Sequence, residues 1–353
     1  MDIDELLTEA HKRGASDLHI TVGIPPSIRV DGRLMHMEGY SKLLPPDTKK
    51  LVDSLLNPKQ QESFEERGEL DFSYSIPAIG RFRCNVFRQR GSSAAVIRLI
   101  SSTIRNLEEL HMPKILEELA FKPRGLVLVT GPTGSGKSTT LAAIIDLINR
   151  QEHKHIITLE DPIEYLHSHK KSIVNQREIG LDSQSFAVAL RVCLRQDPDI
   201  ILVGEMRDME TISTAITAAE TGHLVFATLH TSGAAQTIDR IIDVFPPHQQ
   251  QQVRIQMAMA VQGIISQQLL PIIDGPGREV AVELMLGTPA IRNLIREGKT
   301  HQINSLIQTG GQQGMITMDS SLRSLYIKGK ISYETALEHA VDKDNLVRML
   351  QLN

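Results

Sequence analysis

The stretch from Leu126 to Ala143, LVLVTGPTGSGKSTTLAA, constrains the fold more than any other part of the chain. Four consecutive apolar residues, Leu126 to Val129, fit a strand buried on both faces, as strands of parallel sheets are. Gly131 to Ser138 then spell G-x-x-x-x-G-K-S, and Thr139 to Ile148 continue with helical apolar spacing. Strand, glycine loop and helix in that order are the setting a phosphate-binding P-loop requires. Gly131, Gly134 and Gly136 allow backbone N–H groups to turn inward onto phosphate oxygens. The helix N-terminus adds its dipole. Lys137 brings a cation to the β- and γ-phosphates, and Ser138 offers a hydroxyl to Mg2+. Pro132, Thr133, Ser135 and Thr139 complete the lining. The ligands implied are ATP and Mg2+. A chance glycine-rich turn is the bland alternative, and the intact octapeptide between strand and helix argues against it.

Length and composition bound what surrounds this loop. The 353 residues suffice for two cores, at roughly 150 residues per domain. Hydrophobic residues make up 41% and charged residues 23%, as in a globular protein. A net charge of -4 gives no sign of a nucleic-acid partner. Aromatics are only 4% and Trp is absent, so base-stacking platforms are scarce. Cys84 and Cys193 are the two cysteines, each within an apolar pattern, which excludes a zinc framework and a disulfide scaffold. The acidic opening MDIDELLTEA lacks the apolar core of a signal peptide. No apolar run approaches the length of a membrane span. A cytoplasmic protein is expected.

Taken in order, residues 1–100 predict a small α+β domain. A short amphipathic helix (2–13) precedes strands at Asp17–Val22 and Ser27–Leu34, the second broken by an Asp31-Gly32 turn. Two helices follow, from Pro45 to Asn57 and on to Arg67. Three strands come next, Leu70–Ile76, Gly80–Arg90 and Ser93–Ile100. Residues 101–112 form a polar connector without a core pattern. From 113 to 353 the pattern becomes α/β. Strands at Leu126–Val129, His155–Leu159, Ile200–Val203 and His223–Leu229 alternate with helices, which predicts a parallel-rich central sheet. From Pro246 on the chain is expected to be mostly helical, with one helix face running through Val253, Met257, Ala260, Val261, Ile264 and Ile265, and a turn at Gly275-Pro276-Gly277.

Ligands of such sheets gather at the carboxyl ends of strands. The P-loop, Glu160-Asp161-Pro162-Ile163-Glu164, Glu205 and His230 all fall there. A nucleotide-hydrolysing site needs a carboxylate near Mg2+ and a group to orient water. Glu205, after Gly204, occupies a Walker B position, close to the metal either directly or through water. Glu164 competes with it for the role of base, and the pattern does not decide between them. His230 is the better phosphate sensor of a pair whose other member, His223, lies at the amino end of the same strand. The other histidines, His167 and His169 among them, are expected at the surface. In the strand Arg81–Arg90, alternation places Arg81, Arg83 and Asn85 opposite Phe82, Cys84 and Val86, with Arg98 on the next strand. They form either a solvated face, paired with Glu62, Glu65 and Glu66, or a phosphate-facing set, since guanidinium suits phosphate.

TGPTGSGKST (130–139), TLEDPIEY (158–165), DIILVGEMRD (199–208) and TGHLVFATLHT (221–231) resemble the Walker A, Asp-box, Walker B and His-box motifs of the type II/IV secretion ATPases. GASDLHITVGIPPSIRVDG (14–32) and AIRNLIRE (290–297) resemble the pilus-retraction subgroup of that superfamily. The resemblance implies a RecA-like P-loop NTPase domain with a parallel-rich central sheet, preceded by a smaller α+β PAS-like domain. It implies a homohexameric ring that hydrolyses ATP between the two domains and powers retraction of a type IV pilus. Arg83 and Arg98, with Arg81 the weaker match, take on phosphate roles. Glu164 and Glu205 become catalytic acids, and His223 and His230 the His-box pair. The implied partners are an inner-membrane platform protein (PilC-like) and a paralogous retraction ATPase, met at the cytoplasmic face of the inner membrane. Competing readings are a superfamily ATPase for pilus extension, type II secretion or DNA uptake, and a non-hydrolysing modulatory subunit.

Overall fold

The computed structural model describes residues 1–351 except Asp31, Ala78, Ser101, Ser102, Asp274 and Pro276. It divides into two compact units, Met1–Thr103 with Glu164–Leu166, and Ile104–Ile163 with the chain from His167 on. The expected turn residue Asp31, the first connector residues Ser101 and Ser102, and Pro276 of the expected 275–277 turn lie outside the described residues.

The first unit strings together α1 (Ile3–Lys12), β1 (Asp17–Ile20), β2 (Ser27–Val30), β3 (Arg33–His36), α2 (Pro45–Leu55), α3 (Pro58–Arg67), β4 (Glu69–Ile76), β5 (Gly80–Gln89) and β6 (Ser92–Leu99). Its sheet runs β3-β2-β1-β6-β5-β4, antiparallel throughout. Caps mark the helices: Asp2 accepts from the Asp4 N–H, and Asn57 exchanges bonds with Gln60 before Pro58 opens α3. Alternation on β5 buries Phe82, Cys84 and Val86 against Leu6, Leu7 and Val52, so the arginines go to the other face. Burial pushes the Cys84 thiol strongly up, leaving it inert.

The second unit contains α4 (Ile115–Ala120), β7 (Gly125–Thr130), α5 (Lys137–Gln151), β8 (His155–Glu160), β9 (Ile173–Glu178), α6 (Phe186–Cys193), β10 (Ile200–Val203), α7 (Met209–Glu220), β11 (Leu224–Leu229), α8 (Ala234–Asp243), α9 (Pro247–Ala260), β12 (Val261–Pro271) and β13 (Arg278–Leu286). Helices α10 (Pro289–Glu297), α11 (Ile303–Thr309), α12 (Met318–Ile327), α13 (Tyr333–Glu338) and α14 (Lys343–Gln351) follow. The strand order is β13-β12-β7-β11-β10-β8-β9, parallel except for β13. The parallel-rich sheet expected from the sequence is present. Leu126 and Leu128 enter the core under α6–α9, whereas Val127 and Val129 enter the core under α4 and α5. Both faces are covered, as a parallel sheet demands.

Three expectations require correction. The helix whose face was expected to run on through Val261, Ile264 and Ile265 ends at Ala260, and Val261–Pro271 is instead an interior strand beside β7. Buried on both faces, this strand has no alternation to announce it. The edge strand β9 and the hairpin partner β13 carried no recognised signal, so the chain beyond Pro246 is less helical than expected. Within the connector, Leu107 is buried in the core of the second unit.

Candidate nucleotide site

Parallel pairing aligns the carboxyl ends of β7, β11, β10 and β8 along one sheet edge. The segments that leave them carry the P-loop, His230, Glu205 and Glu160, so the fold brings these four together. The P-loop is backbone-defined. Gly134 and Gly136 have φ of 79° and 88°, conformations glycine adopts without cost. At Gly131 an added Cβ would lie 2.3 Å from the Gln267 carbonyl oxygen, so no side chain fits. Lys137 begins α5 and is buried. Its Nζ donates to the carbonyls of Gly131 (2.8 Å) and Pro132 (3.0 Å), holding a cation over the mouth of the loop. Ser138 and Thr139 follow, half-buried, while Pro132, Thr133 and Gly134 are exposed and Ser135 is buried. An open glycine cradle, a helix N-terminus and a cation fit a phosphate-bearing nucleotide. With a nucleotide in place, the Ser138 hydroxyl would hold Mg2+, which supplies charge neutralisation at the phosphates.

Glu205 leaves β10 through Gly204, whose amide donates to the Leu159 carbonyl at 2.7 Å. A Cβ on residue 204 would stand 3.0 Å from that oxygen and 3.3 Å from the Glu160 Cα. The close approach of two strand ends explains why glycine precedes the acid here. Burial pushes the Glu205 carboxyl up, but hydrogen bonding to Arg207 and the nearby His230 outweigh it and hold the carboxyl below its ordinary range. His230 Nε2 lies 3.1 Å from Glu205 Oε1, and Arg207 Nε contacts the same oxygen. Glu160 accepts from Thr158 (2.6 Å) and Gln176 (3.1 Å), a fixed orientation at the end of β8.

Not every candidate joins this cluster. His223 precedes β11 at the opposite sheet edge, its Nδ1 3.0 Å from the Ala218 carbonyl. The length of the strand, at about 3.3 Å per residue, puts it roughly 20 Å from His230, so the structure does not bring it to this chain's P-loop. Glu164 is exposed and groups with the first unit. In that unit, Arg83 and Arg98 are directly opposed across β5 and β6, and both are exposed. Arg98 Nε donates to Asp17 at 3.0 Å, so its partner is Asp17 and not the acidic run of Glu62, Glu65 and Glu66. Among the described residues, the Arg83 side chain makes no hydrogen bond or ion pair. Arg81 is half-buried on the same strand.

Sequence reasoning missed two residues at the P-loop edge. Arg207 contacts Glu205, and Gln267 donates from Nε2 to the Ser135 carbonyl at 2.6 Å. Gln267 lies on the strand mistaken for a helix, and the β-branched character of Val261, Ile264 and Ile265, not their spacing, was the signal that could have found it. His167, expected at the surface, is also corrected: its Nδ1 is buried without a partner, and burial pushes the imidazole down to about 4.

Comparison with known proteins places this geometry. A family model described as "Type II/IV secretion system protein" matches residues 1–282. The chain is 54% identical over 349 residues to the type IV pilus retractation ATPase PilT of Pseudomonas aeruginosa, covering 98% of this chain and 100% of that protein. It is 45% identical over 352 residues to the type IV pilus ATPase PilU of the same organism, covering 100% and 92%. A crystal structure of the pilus retraction motor PilT with bound ADP matches with a TM-score of 0.93 at 52% identity, over 99% of this chain and 100% of that one.

Proposed function

The chain belongs to the type II/IV secretion system protein family, and on that premise we propose that it is an ATP-hydrolysing motor that retracts a type IV pilus. The observation that carries this is the full-length likeness to a retraction motor whose crystal structure holds ADP, joined to a P-loop cradle with Glu205 and His230 along the same sheet edge. Lys137 and the loop amides grip the phosphates, and Ser138 would hold Mg2+, which would supply charge neutralisation there. Glu205, kept ionised by Arg207 and His230, orients the attacking water or the metal's water shell, with Glu164 as the second acid. Arg83 and Arg98, on a sheet face rich in guanidinium, spread the charge that develops on the transferred phosphoryl group. His223 takes no part in this chain's own site.

Six copies form a ring. ATP turnover in each subunit drives a conformational stroke, and this stroke acts on an inner-membrane platform protein. Among the described residues no helix is long and apolar enough to cross a membrane. The motor meets the membrane's cytoplasmic face through its partners. A paralogue such as PilU shares the work.

The test is Lys137→Ala in the chromosomal copy of the source strain, with surface pili counted and twitching measured. Hyperpiliated, non-motile cells are expected. Loss of pili would make the protein an assembly motor, and unchanged pili and motility would place it in another system.

A further inference from the structure

The glycines that let the P-loop wrap a phosphate also leave its peptide planes free to rotate. The Ser135–Gly136 peptide shares this freedom, because it enters Gly136 at φ 88° one residue after Gly134 at φ 79°, and neither glycine has a Cβ to restrain the turn. An inward-facing amide therefore needs an external hold. Gln267 supplies one. It lies on β12, next to β7, and is 1% exposed. Its Nε2 donates to the Ser135 carbonyl at 2.6 Å. Its backbone oxygen approaches so close to Gly131 that a Cβ there would lie 2.3 Å away, and a Cβ on Gly136 would lie 3.1 Å from Nε2. Both ends of the loop thus rest on this one residue.

We propose that Gln267 is a positioning residue of the nucleotide site, whose side-chain amide clamps the Ser135–Gly136 peptide and so aims the Gly136 N–H at the phosphates. In a trans peptide the C=O and N–H of one unit point in opposite directions. A carbonyl held outward by Gln267 leaves the Gly136 amide facing the other way, into the cradle. The amide of Gln267 can take only one orientation here, since reversing it would set two carbonyl oxygens against each other. The neighbouring Ser266 makes a matching bond elsewhere. Its Oγ accepts from the Gly233 N–H at 2.9 Å, three residues after His230. Successive residues of a strand point to opposite faces, so β12 steadies the P-loop from one face and the His230 turn from the other.

The inference rests on the reading of this loop as a nucleotide site, and one titration separates the two. Binding of a fluorescent ADP analogue with Mg2+ is measured on the full-length protein and on Gln267→Leu and Gln267→Glu, with steady-state KM and kcat for ATP. Leu removes the donor at similar volume; Glu keeps the shape and, assayed at a pH where its carboxyl is ionised, presents only oxygens to the Ser135 carbonyl. Both folded variants are expected to bind ADP about tenfold more weakly, the size of one buried bond left unmade. KM should rise by a similar factor and kcat should stay within about threefold, a split that general loosening of the fold would not produce. Glu serves as the test if Leu does not fold. If the parent protein fails to bind ADP, the nucleotide reading itself falls. If the parent binds and either folded variant binds within twofold of it, Gln267 is not a positioning residue.

Discussion

At the scale of single residues, His167 shows how a side chain outside the nucleotide site sets a solution property. Its Nδ1 is buried with no partner, and burial pushes the imidazole down to about 4, with Lys170 adding to the effect and Asp146 opposing it. A free imidazole titrates near 6.5. As pH falls below that value the unfolded chain takes up the proton and the folded chain does not, so stability is full above 6.5 and drains away toward 4. At about 1.4 kcal/mol per pH unit, the loss by pH 5 is roughly 2 kcal/mol. Urea unfolding of the parent protein and of His167→Gln at pH 7 and pH 5 checks this, and the variant should lose about 2 kcal/mol less between the two. Nothing in the sequence distinguishes His167 from exposed His169 two residues on, because the packing that buries it comes from other segments. The P-loop residues were legible for the opposite reason: Gly131, Gly136 and Lys137 do their work through local backbone geometry, which the octapeptide itself encodes.

At the scale of elements, the boundary between α9 and β12 falls between Ala260 and Val261 with no break in apolar spacing. Val253, Met257, Ala260, Val261 and Ile264 satisfy a helical period by coincidence. Gly263 is the residue that belongs to the strand: a Cβ there would lie 2.8 Å from Leu119 Cδ1 and 3.3 Å from the Met285 oxygen. A tertiary contact of that kind cannot be seen in a periodicity. The short helix α10 falls in the stretch expected to be mostly helical, and the structure adds how it is held. Thr288 caps its start, Gly298 ends it at φ 70°, and Ile291 and Ile295 are buried beneath it. Arg292 faces inward, donating from Nε to the Gly287 carbonyl (2.7 Å) and from Nη1 to the carbonyls of Ala258 (2.8 Å) and Met259. It therefore fastens α10 to the end of α9, while Asn293, Arg296 and Glu297 remain exposed. Arg292→Ala would leave those carbonyls without their donor, at about 1–3 kcal/mol for a buried acceptor. Amide exchange across residues 290–297 should quicken by roughly 10- to 100-fold, with ATP turnover within a few-fold of the parent. Unchanged exchange would mean that Ile291 and Ile295 suffice to hold the helix.

At the scale of the whole molecule, the hydrophobic cores do not mix. The first unit closes on Leu6, Leu18, Val52, Phe82 and Ile97, and the second on clusters drawn entirely from residue 107 onward. A chain built this way can lose one core without opening the other. The P-loop, Glu205, His230 and Gln267 all belong to the second unit, whereas Arg83 and Arg98 belong to the first. Binding and turnover should therefore be separable by cutting the chain. A fragment of residues 104–353 is expected to fold cooperatively and to bind ADP within about threefold of the full protein, since every group that grips the phosphates remains. Its ATP turnover should fall by roughly 10³-fold or more, the usual effect of removing an arginine that stabilises the transition state. Full-length Arg83→Ala should reproduce most of that fall with the fold intact. Arg98→Ala should do so less sharply, because Asp17 already neutralises part of the Arg98 charge. A fragment that hydrolyses ATP at the full rate would return both arginines to an ordinary solvated sheet face.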